Sequence, residues 1–170
     1  MKNILCIVNP VSGLKKSLKV FNEVKNKLKS SNTDLELFVS KYPNHIKDYS
    51  SKINKDEFDK IIIFGGDGTI NEVVNGLSSS SNLDSFKLGI IPTGSGNSVA
   101  HDIGSLKLDV AVKKCLGEKV IKMDVNQVNF DSFTTYSAKL VKNDITSFLV
   151  YFYIYNTWFI SKFDFFLIFC

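Results

Sequence analysis

Arginine is absent from this sequence of 170 residues, so all 21 basic residues are lysines. The planar guanidinium fork that binds a phosphate through two parallel hydrogen bonds is therefore excluded. Any phosphate contact must come from a lysine ammonium group or a backbone N–H. The formal net charge of +4 is mild. It suits nucleotide phosphates or an anionic membrane surface, although solvated lysines on helix faces explain most of it.

Cysteine is also scarce. Cys6, Cys115 and Cys170 are far apart and form no CxxC or Cys/His pattern. The sequence therefore predicts neither a zinc site nor a disulfide framework, and we expect reduced thiols in a cytosolic protein. The apolar run before Pro10 is too short to act as a signal peptide.

Short apolar runs alternate with segments of helical spacing along the first 117 residues. The strand-like runs read NILCIVN, DLELFVS, DKIIIF and KLGIIP. This alternation predicts parallel βαβ units in an α/β layered domain. The first, third and fourth strands each run into a glycine-bearing turn, and loops at the carboxyl ends of parallel strands line the ligand crevice. We therefore expect the three turns to converge on one site.

The turn after the third strand reads GGDGTINEVVNG and begins at Gly65. Gly65, Gly66 and Gly68 remove side chains, so that backbone N–H groups can face a phosphate. The helix is predicted to start near Thr69, which can cap it or bind the phosphate, and to stop at Gly76.

Asp67 is the unexpected member of this turn, because a carboxylate repels phosphates. It becomes useful if it holds Mg²⁺, or if it takes a proton from a hydroxyl that attacks the γ-phosphate. The alternative is that Asp67 merely caps the helix that follows it. The residues alone leave both interpretations open.

Two further segments carry turn chemistry. In PTGSGN (92–97), Gly94 and Gly96 leave the backbone without side chains, while Thr93, Ser95 and Asn97 supply side-chain hydrogen-bond donors. The alternative there is an ordinary β-turn followed by a helix cap. NPVSG (9–13) is weak by itself, since Asn-Pro turns are common. None of the three has Walker or dinucleotide-fold spacing. The two histidines, His45 and His101, are more simply structural or surface residues than bases.

The chain changes character after Gly117. KVIKMDVNQVNF and SFTTYSAKL are predicted to pair as a hairpin across Asp131. Residues 147–170 hold 11 of the 21 aromatic residues. This tail is long enough to span a membrane, but Lys162 and Asp164 would each cost roughly 3 kcal/mol in the bilayer centre. A core strand pair is an equally good interpretation.

NPVSG, GGDGTINEVVNGL and IPTGSGN, in this order, resemble the catalytic domain of the diacylglycerol kinase and sphingosine kinase superfamily. The resemblance covers about residues 3–140, and the three motifs together are highly specific. It implies a Rossmann-like three-layer α/β/α domain of the NAD kinase and diacylglycerol kinase type, followed by a β-rich domain. It also implies an ATP-dependent lipid kinase, with ATP, Mg²⁺ and a lipid as partners, in the cytoplasm with peripheral membrane contact. No nucleic-acid partner is expected.

The resemblance also implies positions for the site. Asp67 would be the base or a metal-linked acid that holds Mg²⁺ through water. The residues predicted to bind the nucleotide or its phosphates, from the resemblance and from the turns above, are Asn9, Pro10, Val11, Ser40, Lys41, Tyr42, Pro43, Asn44, Gly65, Gly66, Gly68, Thr69, Thr93, Gly94, Ser95 and Gly96. EVVNGL and SGN are closer to sphingoid-base kinases, whereas GGDGT is closer to the diacylglycerol type. A sphingoid base is the favoured acceptor.

The pattern breaks at Val141, where a β-rich second domain should continue. Residues 141–170 match nothing in the family and are rich in the residue types that AT-rich noncoding DNA encodes. We interpret 1–140 as the catalytic domain and 141–170 as read-through of an unspliced intron, which would leave the chain truncated and inactive. A mature transcript continuous through codons 136–146 to a stop would contradict this. The alternatives are a non-catalytic nucleotide-binding module and a small membrane-anchored protein.

Overall fold

The computed structural model describes residues 2–29, 33–80, 85–130, 133–139 and 159–169. Within these ranges, the elements in chain order are β1 (Lys2–Val8), α1 (Ser12–Lys15), α2 (Ser17–Leu28), β2 (Thr33–Val39), α3 (His45–Ser50), β3 (Lys60–Gly65), α4 (Asp67–Ser79), β4 (Lys87–Pro92), α5 (Ser98–Asp102), α6 (Leu108–Leu116), β5 (Ile121–Phe130), β6 (Phe133–Lys139) and β7 (Phe159–Phe169).

The strands form one sheet in the order β2-β1-β3-β4-β7-β5-β6. The first four strands in that order are parallel to one another. The predicted parallel α/β domain is therefore confirmed. Apolar runs such as residues 61–64 are buried throughout, because helices cover both faces of a parallel sheet.

Two apolar clusters lie on opposite faces of this sheet. Alternate strand residues such as Leu5 and Ile61 pack with apolar residues of α3, α4 and α5. Their neighbours Cys6 and Ile62 pack with residues of α2 and α6 instead. Since successive side chains of a strand point to opposite faces, helices cover both faces of the sheet, which is the three-layer α/β/α arrangement that the resemblance implies.

Helix α4 differs from its prediction at both ends. It begins at Asp67, two positions before Thr69, and it continues through Gly76 to Ser79. A Cβ at Gly76 would lie 2.5 Å from both the Lys47 carbonyl oxygen and the Ser50 Cβ. The prediction that Gly76 stops the helix is wrong, because this glycine instead allows α3 and α4 to approach closely.

The hairpin predicted across Asp131 is confirmed. β5 and β6 pair antiparallel, with Phe130 opposite Phe133. Strand β7 lies between β4 and β5, parallel to the former and antiparallel to the latter. For residues 159–169, the structure thus agrees with the strand interpretation of the tail, whereas 147–158 and 170 lie outside the described residues. No helix in the described ranges is long and apolar enough to cross a membrane.

Candidate functional site

Four segments at one edge of the sheet hold all the predicted site residues. They follow the carboxyl ends of β2, β1, β3 and β4, which are consecutive in the sheet. Parallel strands all end at the same edge, so these segments lie side by side. The backbone joins them directly, because Ser40 N donates to Val8 O (3.0 Å), Asn9 N to Phe64 O (3.1 Å) and Thr93 N to Gly65 O (3.0 Å).

Side chains also connect the segment after β1 to the segment after β3. Asn9 Nδ2 donates to Thr69 Oγ1 over 3.1 Å, and Asn9 Oδ1 accepts from Val11 N over 3.2 Å. Thr69 is 3% exposed. Its hydroxyl therefore belongs to a buried contact between two motifs, and Asn9 shapes its own turn at the same time.

The segment after β1 also meets the segment after β4. Ser17 Oγ and Thr93 Oγ1 are 2.7 Å apart and share a buried hydrogen bond. A Cβ at Gly13 would lie only 1.6 Å from the Thr93 carbonyl oxygen. A glycine is required at position 13 because the two backbones touch there. Ser17 is not among the predicted site residues, although it lies in helical register with the buried Phe21, Val24 and Leu28 of α2.

Glycines at the centre of the site allow neighbouring loops to approach each other closely. A Cβ at Gly94 would lie 2.4 Å from Gly66 Cα, and a Cβ at Gly65 would lie 2.3 Å from Thr69 Oγ1. Gly68 is different, since a Cβ there would meet no atom within 4 Å. Close packing between the loops therefore explains Gly65, Gly66 and Gly94 without reference to a ligand. Gly68 has no such contact, and its backbone is exposed at the start of α4.

The Asp67 carboxylate bridges two motifs. Its Oδ2 accepts the N–H of Ser98 (2.9 Å) and its Oδ1 accepts the N–H of Val99 (3.1 Å). It therefore caps α5, while Gly66 occupies the cap position of α4 without a side-chain bond. The alternative that Asp67 caps its own helix is wrong, because its carboxylate reaches the free amides of another helix. A Cβ at Gly96 would lie 3.0 Å from Oδ2, so Gly96 leaves room for this acid.

The turn 92–97 closes on itself through Asn97. Asn97 Oδ1 accepts from Gly94 N (3.0 Å), and Asn97 Nδ2 donates to Gly94 O (2.7 Å). Asn97 itself has a φ of 59°, a left-handed conformation that asparagine tolerates. Of the donors predicted for this turn, Thr93 and Asn97 are engaged within the protein, whereas Ser95 is exposed.

The segment after β2 is built around His45. His45 Nδ1 accepts the N–H of Lys41 (3.1 Å), and its ring stacks on Tyr42 with centroids 4.2 Å apart. Phe38 meets the same ring edge-on at 4.8 Å. His45 therefore has a structural role, as expected. Lys41, Tyr42, Pro43 and Asn44 are exposed, while Ser40 is half-buried.

The other titratable groups give little sign of reactivity. Burial raises the pKa of the Cys6 thiol to about 12, so this thiol stays protonated and is a poor nucleophile. His101 is exposed and lies 3.6 Å from the Asp102 carboxylate. Within the described ranges, no group of three His, Cys, Asp or Glu side chains could hold a metal ion. A link between Asp67 and a metal ion, through water, stays a prediction.

Comparison with known proteins agrees with this architecture. Residues 3–128 match the family described as the diacylglycerol kinase catalytic domain, and the chain belongs to that family. Sphingosine kinase B of Dictyostelium discoideum is 36% identical over 106 residues, which cover 61% of this chain and 14% of that protein. The diacylglycerol kinase of Bacillus subtilis is 33% identical over 135 residues, covering 78% of this chain and 44% of that protein.

A solved structure supports the fold. The crystal structure of a diacylglycerol kinase from Bacillus anthracis has a TM-score of 0.59 and 29% identity, over 75% of this chain and 46% of that one. The chain therefore spans less than half the length of each of these relatives. It is a member of a family of lipid kinases.

Proposed function

We propose that this chain supplies the nucleotide-binding half of an ATP-dependent lipid kinase, which transfers the γ-phosphate of ATP to a lipid hydroxyl. The observation that carries the proposal is the direct contact among the three glycine-bearing turns around Asp67. Asn9 contacts Thr69, and Asp67 contacts Ser98. These contacts form one continuous rim at the carboxyl edge of the sheet.

Backbone donors on that rim suit a phosphate chain. The amides of Asp67 and Gly68 come before the first hydrogen bond of α4, which Thr69 N donates to Gly66 O (3.0 Å), and the helix dipole favours an anion there. Gly68 keeps this end free of side chains. Because the chain has no arginine, such amides and lysine ammonium groups are the phosphate ligands that it offers.

Asp67 is the proposed catalytic residue. Each of its carboxylate oxygens accepts one backbone N–H, and each retains lone-pair capacity for a second partner. The acid is held by α5 in a fixed position, ready to accept the proton of the attacking hydroxyl. Preorganisation of this kind is what an acid–base group requires.

Mg²⁺ fits this site only in part. Since the described residues offer no cluster of three acidic or imidazole ligands, the ion would be held mainly by phosphate oxygens and water. That is usual for Mg²⁺ in phosphoryl transfer. Asp67 would contact it through a water molecule. When bound, the ion would neutralise charge on the phosphates.

We propose a sphingoid base as the acceptor, with diacylglycerol as the alternative. The Dictyostelium relative is named a sphingosine kinase and the B. subtilis relative a diacylglycerol kinase, so relatives of both kinds exist. EVVNGL and SGN favour the former. The site of action would be the cytoplasmic surface of a membrane, reached by peripheral contact.

The alternative is a nucleotide-binding module without catalysis. The test is ATP binding by this chain, measured by calorimetry, together with phosphate transfer from labelled ATP to sphingosine and to diacylglycerol in mixed micelles, measured on a longer protein in which a β-rich second domain follows residue 140. Binding with transfer that Asp67→Asn abolishes supports the kinase. Binding without transfer supports the module, and no binding contradicts both.

A further inference from the structure

Helix α5 is too short to be stable by itself, and charged side chains from other elements hold both of its ends. It contains five residues, Ser98–Asp102, whereas isolated helices shorter than about 12 residues are marginal in water. Ala100, and Ile103 just after the helix, pack in the apolar core on one face. The Asp67 carboxylate holds the amides of the first turn. The position of α5 therefore also depends on what holds its other end.

Lys114 of α6 holds the C-terminal end of α5. Its Nζ donates to the carbonyl oxygen of Ile103 and to that of Gly104 over 3.2 Å. The last carbonyl groups of a helix have no partners within it, and a cation there also interacts favourably with the helix dipole. Gly104 ends the helix in a left-handed conformation, with a φ of 65°. Lys114 thus joins the end of α5 to α6.

Helix α6 keeps Lys114 in a defined place. It buries Val112 and Cys115 in the apolar cluster on its face of the sheet, and Lys114 between them is half-buried. The C-terminal end of α6 is held in turn by Lys60, which is only 8% exposed. Lys60 Nζ donates to the carbonyl oxygens of Cys115 and of Gly117. The lysine that holds α5 is therefore carried by a helix that is itself fixed at its end.

These contacts return to Asp67. Strand β3 begins at Lys60 and ends at Gly65, and Asp67 opens α4 immediately afterwards. Charged side chains thus connect β3 to α6, α6 to α5, and α5 to α4 in a closed ring of contacts. In each contact the charged group meets backbone groups at a helix end. A displacement of α5 would therefore move the two N–H donors that fix the Asp67 carboxylate.

We propose that Lys114 is a positioning residue for Asp67. It fixes the C-terminal end of α5, and α5 fixes the carboxylate through the amides of Ser98 and Val99. A carboxylate that leaves this orientation is aimed at the attacking hydroxyl for less of the time, so phosphate transfer slows while ATP binding by the glycine-bearing turns is retained. This role rests on the proposed function of Asp67, and it adds a residue that is not itself a predicted ligand contact.

The first test is amide hydrogen exchange of this chain, followed by NMR, which reports local opening at single residues. Lys114→Met keeps the length of the side chain and removes its donors. We expect the amides of Ser98 and Val99 to exchange about tenfold faster, the equivalent of one lost hydrogen bond, while the amides of β3 stay protected. Lys114→Arg keeps donors and should restore most of the protection. Lys113→Met, at an exposed position of the same helix, is the matched control and should leave both amides unchanged.

The second test is kinetic and uses the longer protein in which a β-rich second domain follows residue 140. We expect Lys114→Met to lower kcat about tenfold with the KM for ATP unchanged, because the acid is misplaced and the nucleotide contacts remain. Lys114→Arg should restore most of kcat, and Lys113→Met should leave it unchanged. Circular dichroism at the assay temperature checks that the folded fraction is the same in all four proteins.

Three results would overturn the proposal. Unchanged exchange at Ser98 and Val99 in Lys114→Met would show that Lys114 does not hold α5. Equal acceleration in Lys113→Met would mean a general effect of lost charge on α6. Faster exchange with an unchanged kcat would make Lys114 a structural cap only. An inactive longer protein would instead contradict the proposed function, and the exchange experiment would still decide whether Lys114 holds the α5 amides against Asp67.

Discussion

The Asp67 carboxylate and the backbone of Ser98 are joined by a 2.9 Å hydrogen bond between two motifs that lie 31 residues apart in the sequence. A second bond, from Val99 N, uses the other carboxylate oxygen. The acid that distinguishes the GGDGT motif is therefore also the cap of the helix that follows PTGSGN. One side chain fixes the relative position of two loops of the proposed site.

Asp67→Asn should therefore affect stability as well as phosphate transfer. The amide retains one acceptor, but its NH₂ group faces a backbone donor. We expect a loss of about 1–2 kcal/mol in the free energy of unfolding, which is typical of a lost helix cap. Urea titration measures this loss. Asp109→Asn, in the first turn of α6, is the matched control and should be close to neutral; equal losses in the two variants would contradict the assignment of Asp67 as a cap.

Two glycines of α4 should respond in opposite ways to alanine. Gly76→Ala places a methyl group against Lys47 O and Ser50 Cβ, so we expect a destabilisation of about 1–3 kcal/mol, although alanine favours helices. Gly68→Ala has open space and should leave stability unchanged or higher. If Gly68 faces the phosphates, the same substitution lowers ATP affinity. Urea midpoints and calorimetry measure the two effects, and a neutral Gly76→Ala would show that α3 and α4 separate easily.

The buried hydroxyl pair tests the contact between α2 and the β4 loop. Ser17→Ala leaves the Thr93 hydroxyl buried without its partner, at a cost of about 1–3 kcal/mol. Thr93→Val likewise leaves the buried Ser17 hydroxyl without its partner. The double variant should lose less than the sum of the two single losses, because the pair is removed together. A double-mutant cycle in urea measures the coupling, and strictly additive losses would mean that the 2.7 Å contact contributes nothing.

His45→Ala should weaken nucleotide binding, although His45 is not itself a predicted nucleotide contact. It removes the acceptor of Lys41 N and the ring on which Tyr42 stacks, so the segment 40–44 loses its shape. We expect about a tenfold loss of ATP affinity, the equivalent of one hydrogen bond. His101→Ala, at an exposed histidine, is the control. His45→Asn, which keeps an acceptor, should restore part of the affinity; no restoration would point to the ring stacking alone.

The thiol of Cys6 predicts a stability change at high pH. The folded protein raises its pKa from 9.0 to about 12, so the folded state holds a proton that the unfolded state releases. Stability from this group is complete below pH 9 and is lost as the pH rises towards 12. The slope approaches about 1.4 kcal/mol per pH unit for one proton. Cys6→Ala should reduce the slope between pH 9 and 10.5, and equal slopes in the two proteins would contradict the burial effect.

Much of the fold followed from local patterns. Runs such as IIIF at residues 61–64 are too apolar for anything but a buried strand, and the turns after them contain glycine. The hairpin around Asp131 is predicted in the same way, from two strand-like runs on either side of a turn residue. These features depend on the chemistry of neighbouring residues, which the sequence states directly.

Other features depended on contacts between distant segments. Gly76 looks like a helix stop until α3 is placed against it, and Ser17 looks like a surface serine until Thr93 lies opposite. Nothing near Leu14 indicates a left-handed turn, because the turn is imposed by the Gly13–Thr93 contact. The position of β7 between β4 and β5 likewise depends on partners far away in the chain.

The sequence by itself determined the order of strands and helices, the placement of glycine-bearing turns after three strands, and the family. The tertiary structure decided which groups those turns present. It engages Thr69, Thr93 and Asn97 within the protein, directs Asp67 to α5 and leaves Gly68 open. The physical reason is that hydrogen bonds and close backbone contacts between loops are chosen by the sheet order, which brings residues tens of positions apart within 3 Å.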